Sequence, residues 1–214
     1  MNKFRLILTI LLFSLCSFAQ KDAKAKEILD KASKAYEQAG DMSVYFNIHI
    51  KDPDAGIAHD FDGQLRLKGV KLQLSTPDTE TWFDGETQWV YMKSSQEVNI
   101  SEPSEKEIQS LNPSIIFNIY KTECNYNFNS EKTDNKNRVV YEIELLPQGK
   151  SEMTRVIVQI NKTDYMPVYF QIFYKNKMEN KIHINKYLTK LNHPDTLFSF
   201  DESKYPDVEI IDLR

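Results

Sequence analysis

Apolar and polar residues alternate with a period of two along most of this chain, and almost no helical sequence separates one alternating segment from the next. Residues 61–101, FDGQLRLKGVKLQLSTPDTETWFDGETQWVYMKSSQEVNIS, show the pattern most densely. There Leu65/Leu67, Leu72/Leu74, Trp89/Tyr91 and Val98/Ile100 each skip a polar neighbour, and Asp84-Gly85 supplies the positive φ of a tight hairpin. Further on, Tyr126/Phe128, Val139/Tyr141/Ile143/Leu145, Val156/Val158/Ile160, Val168/Phe170/Ile172/Tyr174 and Ile182/Ile184 keep the same spacing, with turn residues between them. Roughly ten or eleven strands in series without crossover helices predict hairpins and exclude a parallel α/β fold. Each strand has one apolar face, so the sheet has to cover that face or curl around it.

Two helices interrupt the pattern. Residues 22–39 place Ile28, Leu29, Ala32, Ala35, Tyr36 and Ala39 on one face, and Gly40 ends the helix. From there Val44, Phe46, Ile48 and Ile50 share one strand face, and residues 52–56, DPDAG, form a turn. The second interruption lies between Ser101 and Lys121. Ser104 and Glu107 have capping-box spacing, and Asn112-Pro113 separates a short helix from an apolar one carrying Ile115, Ile116, Phe117 and Ile119. Such an apolar connector suits either a helix sealing the core or a movable lid over a hydrophobic interior.

The N-terminus reads as an export signal. Lys3 and Arg5 precede an apolar run over residues 6–18, and Ser17-Phe18-Ala19 suits cleavage before Gln20, giving a signal peptide over 1–19 and a single domain over 20–214. Leu15 stands before Cys16 where a lipid-attachment motif has a small residue, and Cys124 is then the lone thiol of the mature chain. Mixed charges summing to -4 leave no electrostatic footprint for nucleic acid.

Catalytic and metal-binding patterns are missing. His49, His59, His183 and His193 are scattered, no HExxH, GxSxG, GxGxxG or P-loop occurs, and Asp84 is explained by its hairpin corner. No cofactor or enzymatic activity is expected. What remains is an excess of large apolar residues in a sheet that must curl. Burying a methylene gains about 0.8 kcal/mol, so an apolar cavity free of convergent charges suits an acyl chain crossing an aqueous compartment.

At this point the chain resembles a known family, the LolA family of periplasmic carriers of outer-membrane lipoproteins. The resemblance lies in the order of AKEILDKASKAYEQA, SVYFNIHI, GQLRLKGVKLQL, DGETQWVYMKSSQEV, a helical insert, ELLP and the C-terminal FSFDESKYPDVEIID. Asp84, Gly85, Trp89, Tyr91 and Val98 form its most specific piece. The resemblance implies a mainly β (α+β) fold: a single strongly curved antiparallel sheet or incomplete barrel, covered by helices and enclosing a hydrophobic cavity. It also implies a monomeric periplasmic chaperone that takes lipoproteins from an inner-membrane release complex and yields them to an outer-membrane acceptor. A sensor with the same fold, or a carrier of another lipid, fits the same residues. Strand alternation nominates Trp82, Trp89, Tyr91, Phe170 and Ile172 for the cavity wall, and Ile115, Ile116, Phe117 and Ile119 for the inner face of the lid. One departure stands out. Family members carry Arg-Pro after the strand corresponding to LRLK, with the arginine latching the lid, whereas this chain has Lys68-Gly69-Val70.

Overall fold

In the computed structural model the described residues are 22–104, 107–108 and 115–214, less the side chains of residues 115, 116 and 118. The expected signal peptide over 1–19 therefore lies outside the described residues. Helix α1 spans Ala23–Gln38. Asp22 caps it by accepting the N–H groups of Lys24 (2.9 Å) and Ala25 (3.1 Å), which have no partner inside the helix. Strands follow as β1 (Met42–Asp52), β2 (Ile57–Lys68), β3 (Lys71–Ser75), β4 (Thr79–Phe83), β5 (Gln88–Met92) and β6 (Glu97–Ser101). After α2 (Ile115–Thr122) come β7 (Cys124–Thr133), β8 (Val139–Pro147), β9 (Met153–Asn161), β10 (Pro167–Tyr174) and β11 (Glu179–Leu188). Two 3-10 turns, Asp195–Phe198 and Glu202–Lys204, lead to β12 (Glu209–Asp212).

Among the described residues all strands join one twelve-stranded sheet in the order β12-β6-β5-β4-β3-β2-β1-β11-β10-β9-β8-β7. Its ends, β12 and β7, are not paired with each other, so the sheet is not closed into a barrel. Hairpins account for most of this order, as the alternation predicts. The exceptions are the long return that sets β11 beside β1 and the C-terminal strand. β12 runs parallel to β6, so the sheet is mixed and not wholly antiparallel. A strand so short and so polar carries no recognisable period, which is why the sequence did not announce it.

Register divides the sheet into two faces with different partners. Met42, Val44, Leu65, Leu67, Leu72, Phe83, Ile143, Leu145, Val156, Val158, Phe170 and Ile184 form one hydrophobic core with Ala25, Ile28, Leu29, Ala32 and Tyr36 of α1. We call this the inner face. Buried residues of opposite parity, among them Trp82 and Val98, lie on the outer face. There the segment after β11 supplies Phe198, which is fully buried, together with Phe200 and Tyr205.

The local devices read from the sequence are present. Gly85 (φ 112°) makes the β4–β5 corner, where the Asp84 carboxylate accepts the N–H groups of Glu86 (3.0 Å) and Thr87 (2.9 Å). That carboxylate is occupied in holding its own turn. Ser104 and Glu107 bond reciprocally, the Ser104 N–H donating to the Glu107 carboxylate (2.8 Å) and the Glu107 N–H to Ser104 Oγ (3.4 Å).

Candidate functional site

The inner face is unevenly packed. Near the C-terminal end of α1 it is fully buried, whereas toward the β1–β2 turn Phe46, Ile48, Ile50 and Phe61 keep partial exposure, as do Ile172 and Ile182. The register sets Ile48 between Phe61 and Ile182, and Ile182 beside Phe170, so these side chains form one apolar strip across β2, β1, β11 and β10. At its margin the Phe46 ring lies flat over Gly63, its cross-strand partner, where a Cβ would come within 2.3 Å of Phe46 Cζ. A strand glycine at this position is the condition for that ring to lie down.

The helices pack over the β7–β8 end of the inner face and are tied to each other. Phe117 of α2 is buried against Tyr36 of α1, with ring centroids 5.6 Å apart, and Ile119 packs on the same core. Tyr120 donates its hydroxyl to Asp30 Oδ1 (2.7 Å) and sets its ring edge-on to Tyr126 of β7. Burial raises the Tyr120 hydroxyl pKa above its ordinary value, and acceptance by Asp30 adds to the shift, so it stays a proton donor. At the other end of α1, Asp22 accepts the Phe128 N–H of β7 (2.9 Å) in addition to capping the helix. This bond and its two helix-capping bonds hold the Asp22 carboxyl below its usual range.

The expected wall and lid residues are divided between the two faces. Phe170 and Ile172 lie on the inner face and Phe117 and Ile119 border it, whereas the side chains of Ile115 and Ile116 lie outside the described residues. Trp82, Trp89 and Tyr91 lie on the outer face. Trp82 pairs with Gln73 and Trp89, one residue out of step with the inner Leu72 and Phe83. The C-terminal segment covers two of them: Trp82 meets Phe200 (5.5 Å) and Tyr205 (6.0 Å), and Tyr91 meets Tyr205 (4.8 Å). Burial together with Glu80 pushes the Tyr205 hydroxyl up to about 12. Phe46, Ile48, Phe61 and Ile182 take their place on the strip; their shared parity was visible in the sequence, but the face they occupy was not.

An unclosed sheet with two helices on its inner face and a half-buried apolar strip is a fold with relatives. A family model described as outer membrane lipoprotein carrier protein LolA matches residues 15–175. The chain belongs to the LolA family.

Two solved structures, with TM-scores of 0.58 and 0.54, agree on the fold. An uncharacterized conserved protein from Thermus thermophilus is similar at 10% identity over 88% of this chain and 99% of its own, with a TM-score of 0.58. LprF from Mycobacterium bovis is similar at 13% identity over 81% of this chain and 97% of its own, with a TM-score of 0.54. A putative outer membrane lipoprotein-sorting protein domain from Vibrio parahaemolyticus gives 13% identity, 82% and 97% coverage and a TM-score of 0.46. No curated protein matches the sequence. Within this LolA-family chain the cations near LRLK turn away from the helices. Arg66 donates to Gln64 Oε1 (2.7 Å) and to Gln73, while Lys68 donates to the His193 carbonyl (2.6 Å) and pairs with Asp195 (2.7 Å). Lys71 takes the other Asp195 oxygen (3.0 Å), and the two lysines hold the Asp195 carboxyl low. Here Lys68 and Lys71 latch the C-terminal segment on the outer face.

Proposed function

We propose that this chain is an exported, non-catalytic carrier that holds the acyl chains of lipoproteins against its inner face and moves them through the periplasm. The partly exposed strip of Phe46, Ile48, Ile50, Phe61, Ile172 and Ile182 carries the reading, because a contiguous apolar surface only half-buried on a sheet face that elsewhere buries its apolar side supports a binding site. Membership of the LolA family, whose description is that of a lipoprotein carrier, supplies the cargo class. Phe117 and Ile119, with Ile115 and Ile116, form the moving cover of the cavity; Phe170 and Ile172 line it. Asn180, between Ile50 and Ile172 at the end of the strip, supports a cargo with a polar head. Its amide donates to Tyr174 Oη (3.3 Å) while its buried Oδ1 has no hydrogen-bond partner. That costs about 1–3 kcal/mol, which a donor on an entering head group would offset. The apolar stretch over residues 6–18 supports export with cleavage before Gln20 and a mature domain over 20–214.

Native mass spectrometry of the mature protein from its own periplasm, followed by organic extraction, tests this. Bound triacylated peptides are the expected result. A different lipid class would retain the carrier and change its cargo, and a clean apo mass with no uptake of a fluorescent acyl probe would overturn the reading.

A further inference from the structure

Long open sheet edges invite strand addition, and among the described residues both terminal edges of this sheet are blunted. β7 carries a register shift between Phe128 and Ser130, charges at Glu131 and Lys132, and the Asp22 carboxylate on its Phe128 N–H. β12 is only four residues long. Internal edges remain: residues 184–188 of β11 pair with β1 and not with β10, but a register shift and Lys186 interrupt them. β3 pairs with β2 only from Gln64 to Lys68, so residues 57–63 of β2 have β1 on one side and, among the described residues, no strand on the other. This stretch, IAHDFDG, contains no proline or lysine, keeps continuous register with β1, and is exposed at Ile57, Ala58, His59, Asp60 and Asp62. It is the least protected edge among the described residues, and Phe61 places it at the margin of the apolar strip.

We propose that residues 57–63 of β2 receive, as an added strand, the extended peptide that follows the acylated residue of the cargo. The inference rests on the carrier reading above. An acyl chain lying along Ile182, Ile48 and Phe61 emerges at this edge, so the polypeptide attached to it meets unpaired backbone groups within a residue or two. Added there, every second side chain faces the inner side beside Phe61 and Phe46, and the alternate ones face the outer side beside Asp60 and Asp62. Those carboxylates lie toward solvent, Asp60 against His49 Nδ1 (2.9 Å) and Asp62 against Asn47 Nδ2 (3.3 Å). The fitting peptide is therefore extended, small or apolar at one parity, and basic at the other.

The test uses the mature chain and three probes: palmitoyl methylamide, an N-palmitoyl hexapeptide of alternating Ala and Lys, and the same hexapeptide without the acyl group. The acylated peptide is expected to bind about tenfold tighter than palmitoyl methylamide and to slow amide exchange at residues 57–63. N-methylation of its backbone should weaken it at every second position only, since alternate N–H groups point away from the added partner. Replacing Lys by Glu in the peptide should lower its affinity, and D60N/D62N should remove that preference. If both acylated probes bind equally and residues 57–63 stay unprotected, the docking edge is overturned while the carrier reading stands. If no acyl probe binds but the free peptide at millimolar concentration protects residues 57–63, the edge stands and the carrier reading falls. Absence of protection by every probe overturns the edge.

Discussion

Gly63→Ala separates binding from folding at the apolar strip. The new Cβ would sit 2.3 Å from Phe46 Cζ and 2.6 Å from Cε2, and Gly63 is outside the left-handed region, so alanine fits the backbone and the ring must move. Moving it costs about 0.5–1.5 kcal/mol in a poorer rotamer, while removing a glycine from the unfolded chain returns about 0.4–1 kcal/mol. Stability should therefore change by less than about 1 kcal/mol. Binding should not be spared, because a ring lifted from Gly63 swings over the strip. If it covers two or three methylenes' worth of wall at about 0.8 kcal/mol each, acyl affinity falls by about 2 kcal/mol, or roughly 30-fold. Calorimetric titration with palmitate, paired with urea unfolding of the same sample, measures both. Phe46→Ala in the Gly63→Ala background should recover most of the loss, since it removes the obstructing ring. Unchanged palmitate affinity at unchanged stability would refute the assignment of the strip. A stability loss above about 3 kcal/mol would show that the ring is wedged and the reasoning about its mobility is wrong.

The remaining predictions concern the two faces and the joint between α1 and the sheet. The chain has two tryptophans, Trp82 and Trp89, both on the outer face, so brominated palmitate should quench native fluorescence weakly and that of an Ile172→Trp variant strongly; strong quenching of the native protein would put the acyl chain on the outer side. Asp22→Ala removes a cap and the bond to Phe128, costing about 2–3 kcal/mol and lowering Tm by about 4–12 °C. Since folding lowers the Asp22 pKa, its contribution is complete above the unfolded value of about 3.9 and is lost as pH falls through the folded one. The stability gap between variant and parent should accordingly be full at pH 7 and narrow below about pH 4; a gap that widens in acid would count against the assignment.

Much of the architecture is local, and the sequence carries it. Val44, Phe46, Ile48 and Ile50 had to share a face once they were extended. Asp84-Gly85 had to turn, Ser104 and Glu107 had to cap, and the apolar stripe through Ile28, Leu29, Ala32 and Tyr36 had to find a sheet, because each follows from backbone geometry and period over a few residues. The site was legible only in part. Phe170, Ile172, Phe117 and Ile119 come to the inner face or its border as alternation and helical clustering suggested, but alternation offers two faces of equal standing. Trp82, Trp89 and Tyr91 went to the other one, where residues far along the chain, Phe200 and Tyr205, cover Trp82 and Tyr91. Non-local contacts also carry Lys68 to Asp195, and β3, too short to follow β2, leaves residues 57–63 paired on the β1 side alone among the described residues. Sequence by itself determined most of the elements up to β11, their hairpin order and the absence of a recognisable catalytic motif. Tertiary structure alone decided which face is covered, where the sheet stays open and which backbone edge is free, because these depend on register and on segments that meet only after the chain has folded.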